Sequence, residues 1–87
     1  MKAKEYFVYI LKSQKDPERY YIGVTQNLKQ RLKEHNAGIV GYSKRYIPWE
    51  LETYIAFKSQ KLAGLFEKYL KSGSGYAFLR KRLLEPC

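Results

Sequence analysis

Two short runs decide most of what this chain can become. Glu5–Lys12 reads EYFVYILK and Tyr20–Thr25 reads YYIGVT, with the polar segment SQKDPER between them. Both runs are rich in β-branched and aromatic residues, and the first contains neither Gly nor Pro, which is the composition of a strand. Asp16-Pro17 in the connector is a turn signal. So short a connection makes an antiparallel hairpin the simplest pairing. Because strand side chains alternate, the hairpin sorts its residues into two faces before anything else is read.

One face carries Tyr6, Val8 and Ile10 with Tyr20, Ile22 and Val24, and is apolar enough to be core. The other carries Tyr9 and Tyr21. If the strands pair about a loop centre near Lys15, these two tyrosines stand directly opposite one another and project together. Gly23 lies on the same face, and its missing side chain would leave a gap through which a ligand approaches the backbone. A tyrosine pair of this kind either stabilises the sheet by packing or belongs to a site.

The rest of the chain reads as helix, strand and two further helices. Asn27 is placed as an N-cap with Gln30 at N3, opening a helix that runs to about Asn36 and stops at Gly38. Residues 39–48 contain Gly41 and Pro48, show no clean period and read as a loop. Trp49–Lys58 alternates Leu51, Thr53, Ile55 and Phe57 against Glu52, Tyr54 and Ala56, a third strand. Ser59 caps a second helix with Leu62, Leu65, Phe66, Tyr69 and Leu70 at helical spacing. Ser72-Gly73-Ser74-Gly75 closes it, and Tyr76–Glu85 forms a short basic helix. The order ββαβαα predicts an α+β fold: a three-stranded, mainly antiparallel sheet packed with helices. Residues 1–87 are expected to form a single domain.

Charge indicates the class of partner. Seventeen Lys and Arg against eight Asp and Glu give a net charge of +9 on a chain with nine tyrosines. That balance points to an acidic partner, with nucleic acid ahead of a membrane surface. No stretch approaches the ~20 apolar residues of a membrane span. The start shows no signal peptide, so a cytoplasmic setting is expected. The only cysteine is Cys87, which excludes an internal disulfide and a Cys-based zinc site. A Walker-type phosphate loop and a dinucleotide fingerprint are both absent.

Three groups of residues could carry chemistry. On the first helix Leu28, Arg31, Leu32 and His35 fall at i, i+3, i+4 and i+7, one stripe. The leucines are ordinary core contacts; an Arg and a His on that stripe either snorkel to water or point together at a site. Glu67 is the only acid in the second helix. It either pairs with Lys71 at i+4 or offers its carboxylate to a hydrated cation. Ala63 and Gly64 lie one turn before it, and a mid-helix Gly there would be explained by close packing or ligand access. Lys44, Arg45, Lys71, Arg80 and Arg82 are candidate phosphate contacts, or simply a solvated face. Tyr42, Tyr46 and Trp49, where exposed, could stack on unpaired bases, though Trp49 also suits a core edge.

Taken in order, these residues resemble the GIY-YIG nuclease superfamily. Its first tripeptide stands here as the variant Phe7-Val8-Tyr9 and its second as Tyr21-Ile22-Gly23. Thr25-x-Asn27-Leu28-x-x-Arg31-Leu32-x-x-His35 and Glu67-x-x-Leu70-Lys71 follow the same pattern. The resemblance covers nearly the whole chain and is closest to the small stand-alone members, excinuclease-subunit-like and of the UPF0213 type.

What the resemblance implies is a metal-dependent endonuclease acting on DNA. By position, Tyr9 and Tyr21 are the paired site tyrosines and Arg31 is the phosphate-binding cation. His35 occupies a position held by His or Tyr in relatives, and Glu67 is the ligand for Mg²⁺ or another divalent cation. Hydrolysis needs a deprotonated water and stabilisation of charge on phosphorus, and either tyrosine or His35 is a candidate base. Two positions depart from some relatives: Val24 stands where they carry Lys, and no Asn follows Glu67. Full nucleases of the superfamily commonly add a DNA-binding module, for which 87 residues leave no room. The expectation is structure-selective cutting of branched, flapped or damaged DNA in repair or recombination, with a protein partner as a source of specificity. The alternative is a catalytically weak nucleic-acid-binding module of the same fold, and a third reading is contact with an RNA–protein assembly.

Overall fold

A computed structural model describes residues 4–84; Cys87 and the end of the expected basic helix lie outside them. Three strands, β1 (Tyr6–Ser13), β2 (Tyr20–Thr25) and β3 (Trp49–Phe57), form one antiparallel sheet in the order β2-β1-β3. Helix α1 (Leu28–Asn36) follows the hairpin, α2 (Gln60–Leu70) follows β3, and α3 (Gly73–Phe78) runs on into a wider turn at Leu79–Leu83. This is the predicted α+β architecture and element order. Among the described residues no helix is long and apolar enough to cross a membrane.

The central strand explains why helices cover both faces. Val8, Tyr9, Ile10 and Leu11 are all buried, so β1 is apolar on both of its sides and each needs a cover. On one side Val8, Ile10 and Ile22 pack with Ala63, Leu70 and Leu79, flanked by Tyr6, Tyr20, Val24, Phe57 and Phe66. On the other, Tyr9, Leu11 and Trp49 pack with Tyr21, Leu28, Leu32, Tyr46 and Ile47. The hairpin faces therefore separate as the alternation requires, and the tyrosine face is a second small core.

Register differs from the expected one. Tyr9 faces Gly23 and Leu11 faces Tyr21, which centres the hairpin on Asp16 rather than Lys15. Two bonds set this. The Arg19 N–H donates to the Asp16 carbonyl (2.9 Å), and the Ser13 N–H donates to the Arg19 carbonyl (3.0 Å). The shift is even, so Tyr9 and Tyr21 keep a common face but sit diagonally.

Helix boundaries follow local chemistry. Asn27 caps α1, its side chain accepting the Gln30 N–H at 3.1 Å, while Thr25 Oγ1 accepts the Asn27 N–H at 3.1 Å. Gly38 ends the helix in the left-handed region at φ +79°. The third helix starts earlier than Tyr76. Ser72 is its cap, accepting the Gly75 N–H at 3.2 Å, and Gly75 lies against the Tyr69 carbonyl and the Leu70 Cα with no room for a Cβ. The four-residue stretch that reads as a helix stop is thus also a helix start.

The buried face of α2 is also corrected. Ala63, Phe66 and Leu70 turn inward, whereas Leu62, Leu65 and Tyr69 stay exposed. Small Ala63 lets the helix lie close on the sheet, so the larger leucines are rotated out.

The segment 39–48 is not a free loop. It holds a 3-10 turn at Ser43–Tyr46 and is tied down at both ends. The Trp49 N–H donates to Asn36 Oδ1 (2.6 Å), Asn36 Nδ2 donates to the Trp49 carbonyl (3.0 Å) and Trp49 Nε1 donates to the Ser43 carbonyl (2.8 Å). The Ser13 hydroxyl donates to the Tyr46 carbonyl at 2.6 Å.

Candidate active site

The tyrosine face, α1 and the 3-10 turn bring four of the five sequence candidates into one cluster. The rings of Tyr9 and Tyr21 stack with centroids 6.3 Å apart and planes 21° apart. The His35 imidazole meets Tyr21 edge-on at 4.5 Å and Tyr9 at 5.9 Å. Tyr9 Oη lies 3.0 Å from His35 Nε2 and accepts the Arg31 Nε–H at 3.2 Å. Helical spacing is what makes this possible: Arg31 and His35, four residues apart on α1, reach the same phenol oxygen from adjacent turns.

Gly23 has a different use from the one expected. A Cβ built on it would fall 2.5 Å from Tyr9 Oη and 2.6 Å from its Cζ. The gap left by the glycine is filled by the Tyr9 ring, which lies across the strand over its register partner. Gly23 seats a side chain of this protein rather than admitting a ligand.

Burial is strong at the centre of the cluster. His35 is 0% exposed and Tyr9 is 2% exposed, while Tyr21 and Arg31 are half-buried. Burial raises the Tyr9 phenol above its usual pKa, against the opposing pull of the Arg31 guanidinium. Burial also lowers His35 below its usual value, and the neighbouring Arg31 adds to this, so the imidazole is held neutral. Arg31 is held still more firmly in its charged form by its hydrogen bonds to Tyr9 and Glu34. Its Nη1 pairs with Glu34 Oε1 at 3.0 Å, and this bond holds the Glu34 carboxyl below the usual carboxylate range. Among the described residues Nη2 makes no hydrogen bond, which leaves one arm of a planar cation for a phosphate oxygen.

Glu67 stands apart from the hydrogen-bonded cluster. It is on α2, and its Oε2 accepts from Lys71 Nζ at 3.1 Å. Its charge reaches Tyr9, where it opposes ionisation of the phenol. Gly64, one turn earlier, has no atom within 4 Å of where a Cβ would stand, so open space rather than close packing surrounds it. Among the described residues no three His, Cys, Asp or Glu side chains come together as a metal cage. The donor chemistry is that of a single carboxylate, which suits a hydrated Mg²⁺ completed by water and phosphate oxygens and does not suit a zinc site.

The proposed phosphate contacts are dispersed. Lys44 and Arg45 are exposed on the 3-10 turn, Arg80 lies 5.9 Å from the Tyr76 ring, Arg82 is exposed, and Lys71 is taken up by Glu67. Trp49 is buried, which removes it as a base-stacking surface; Tyr46 is half-buried under the Arg19 guanidinium, and Tyr42 is exposed. One buried polar residue beside the cluster was missed by sequence reasoning. Ser43, 0% exposed, places Oγ 2.7 Å from His35 Nδ1. A serine in an aperiodic segment eight residues after a histidine carries no pattern that would reveal it.

The profile of the GIY-YIG catalytic domain matches residues 5–77, the span that holds the whole cluster and Glu67. This chain belongs to the GIY-YIG family. It is 33% identical over 64 residues to a structure-specific endonuclease subunit SLX1 homolog from Giardia intestinalis, covering 70% of this chain. The chain spans only 18% of that relative's length. The solution NMR structure of the UPF0213 protein BH0048 from Bacillus halodurans superposes with a TM-score of 0.57 at 28% identity. That match covers 94% of this chain and 88% of the other, so the two share a fold over nearly their whole lengths.

Proposed function

We propose that this GIY-YIG domain is a metal-assisted endonuclease that hydrolyses phosphodiester bonds in branched, flapped or damaged DNA. Its setting would be DNA repair or recombination in the cytoplasm, with residues 1–87 acting as one domain and a protein partner adding specificity. The observation that carries the reading is the phenol of Tyr9, held between Arg31 Nε and His35 Nε2 at 3.2 and 3.0 Å. With the Arg31 N–H accepted on one side of the oxygen, the phenol in this reading gives its own hydrogen to the neutral imidazole, which requires Nε2 to be bare.

In the mechanism, Arg31 binds the scissile phosphate through Nη2 and keeps its Nε–H on Tyr9. Tyr9 passes its proton to His35 Nε2 as it takes one from the attacking water, so the buried phenol, held above its usual pKa, is not left as a free phenolate; the water oxygen forms the new bond to phosphorus as the bond to the leaving oxygen breaks. The imidazolium formed on His35, which is 0% exposed, then returns its proton to Tyr9 as the phenol gives its own to the leaving oxygen. Arg31 stabilises the charge that builds on the phenol oxygen during transfer and the added charge on the phosphoryl group. Glu67 would hold Mg²⁺ or another divalent cation, which when bound supplies Lewis-acid stabilisation of the leaving oxygen. Tyr21 stacks on Tyr9 and meets His35 edge-on, packing against both rings.

A second reading is favoured by Glu67 itself. Its pairing with Lys71, and the lack of a further acidic group beside it among the described residues, also suit a catalytically weak nucleic-acid-binding module. A panel of branched and linear DNAs, incubated with and without Mg²⁺, separates the two. Mg²⁺-dependent cutting that is lost in Glu67→Ala and in EDTA supports the enzyme; cutting that survives Glu67→Ala or proceeds equally in EDTA sinks it. Salt-sensitive binding intact in Glu67→Ala with no substrate ever cut supports the binding module. RNA held much more tightly than DNA at matched salt would favour an RNA–protein partner instead.

A further inference from the structure

We propose that Ser43 is a positioning residue that fixes His35 in the Nδ1–H tautomer, turning Nε2 toward Tyr9 as its proton acceptor. The proposal rests on the Tyr9–His35 reading above, and it is carried by a hydrogen count. Four groups form one chain, buried from Tyr9 to Ser43 and part-buried at its Val40 end: Tyr9 Oη to His35 Nε2 at 3.0 Å, His35 Nδ1 to Ser43 Oγ at 2.7 Å, and Ser43 Oγ to the Val40 carbonyl at 3.2 Å. Arg31 Nε–H already donates to Tyr9 Oη.

Only one direction along this chain satisfies every group. If Ser43 gives its single hydrogen to the Val40 carbonyl, its oxygen accepts from Nδ1–H, and Nε2 is left bare to accept from the Tyr9 hydroxyl. In the reverse direction Ser43 donates to Nδ1 and Nε2–H donates to Tyr9. The Val40 carbonyl then loses that donor, and among the described residues the phenol hydrogen has no other acceptor within reach. Leaving the phenol hydrogen unpaired on a side chain only 2% exposed is strongly disfavoured. Ser43 is thus the third group that orients a base. The turn that carries it is itself held, through the bond from Trp49 Nε1 to the Ser43 carbonyl and the clasp of Asn36 on the Trp49 backbone.

His35 is the chain's only histidine, so its imidazole nitrogens give an unambiguous ¹⁵N NMR signature. Near neutral pH the ¹⁵N-labelled protein should show a protonated Nδ1 and a bare Nε2. Ser43→Ala should move the population toward Nε2–H and lower kcat for DNA cleavage about 100-fold with KM little changed, the size typical of losing general-base function. Ser43→Cys keeps a weak acceptor on a slightly larger side chain, serves if the alanine variant does not fold, and should fall between the two. An Nε2–H tautomer in the unaltered protein overturns the proposal, and so does an unchanged tautomer in both variants. Because the spectra require no substrate, a protein that cuts nothing fails the nuclease reading while the spectra still decide the role of Ser43.

Discussion

The Tyr9 ring lies on Gly23, its own register partner across the hairpin, so closely that a methyl group on Gly23 would fall 2.5 Å from the phenol oxygen. The pair links the second family tripeptide to the first by shape: the glycine is the seat of the tyrosine. Gly23→Ala should therefore push Tyr9 off both Arg31 and His35. The expected outcome is a loss of about 1–3 kcal/mol in stability from overpacking and a fall in cleavage rate of roughly 100-fold from misplacement of the phenol. Denaturant melts and single-turnover cleavage measure the two; a variant that cuts at the original rate would show that the seat is dispensable.

Gly64 offers the opposite case. No atom comes within 4 Å of the place its Cβ would take, and it sits inside α2. Gly64→Ala should stabilise the protein by about 1 kcal/mol, raising Tm by roughly 4–8 °C for a domain of this size. Cleavage that drops while Tm rises would identify the open space beside Glu67 as a path for substrate.

The neutral, buried His35 makes stability depend on pH with a definite sign. Its folded pKa lies below the unfolded value near 6.5, so below that pH the unfolded chain binds the proton more readily than the native one. The stabilisation is fully present above about pH 6.5 and is lost as pH falls toward the lower, folded value. Melts between pH 5 and 7.5 should show stability rising with pH across this window, and His35→Gln should flatten that slope whatever its own stability. An equal slope in the variant would assign the dependence to other groups.

Lys71 and Glu67 form an exposed-to-half-buried i,i+4 pair at 3.1 Å. Such a pair contributes about 0.3–0.5 kcal/mol, and it competes with any cation for the carboxylate. Lys71→Ala should lower the Mg²⁺ concentration for half-maximal cleavage by about twofold and leave Tm nearly unchanged. A higher Mg²⁺ requirement would mean that Lys71 assists at the site instead of competing there.

Much of this was legible from residue order. Alternation in the two tyrosine-bearing runs separated the faces of the hairpin, because a strand's period of two is local geometry. The stripe Arg31–His35 was legible for the same reason, since one helical turn brings the two residues to one side. Capping by Asn27, Ser59 and the end at Gly38 followed from side-chain chemistry within a few residues. Register was not legible to better than an even step: Asp16-Pro17 marked the turn, but its centre is set by the backbone bonds among Ser13, Asp16 and Arg19 together with the Ser13 hydroxyl accepting the Lys15 and Asp16 N–H groups, a pairing no local pattern specifies.

What the sequence determined by itself was the kind of parts: a hairpin with one apolar and one tyrosine face, a helix aiming an Arg and a His the same way, and a lone carboxylate on another helix. Tertiary structure alone decided how they serve one another. It placed the Tyr9 ring on Gly23, turned Leu62 and Leu65 outward, and folded an aperiodic segment back so that Ser43 closes the chain from Tyr9 through His35. The reason is physical. Periodicity records which side a residue faces, but the partner it meets there depends on distant segments being packed into a volume where every buried polar group must find one.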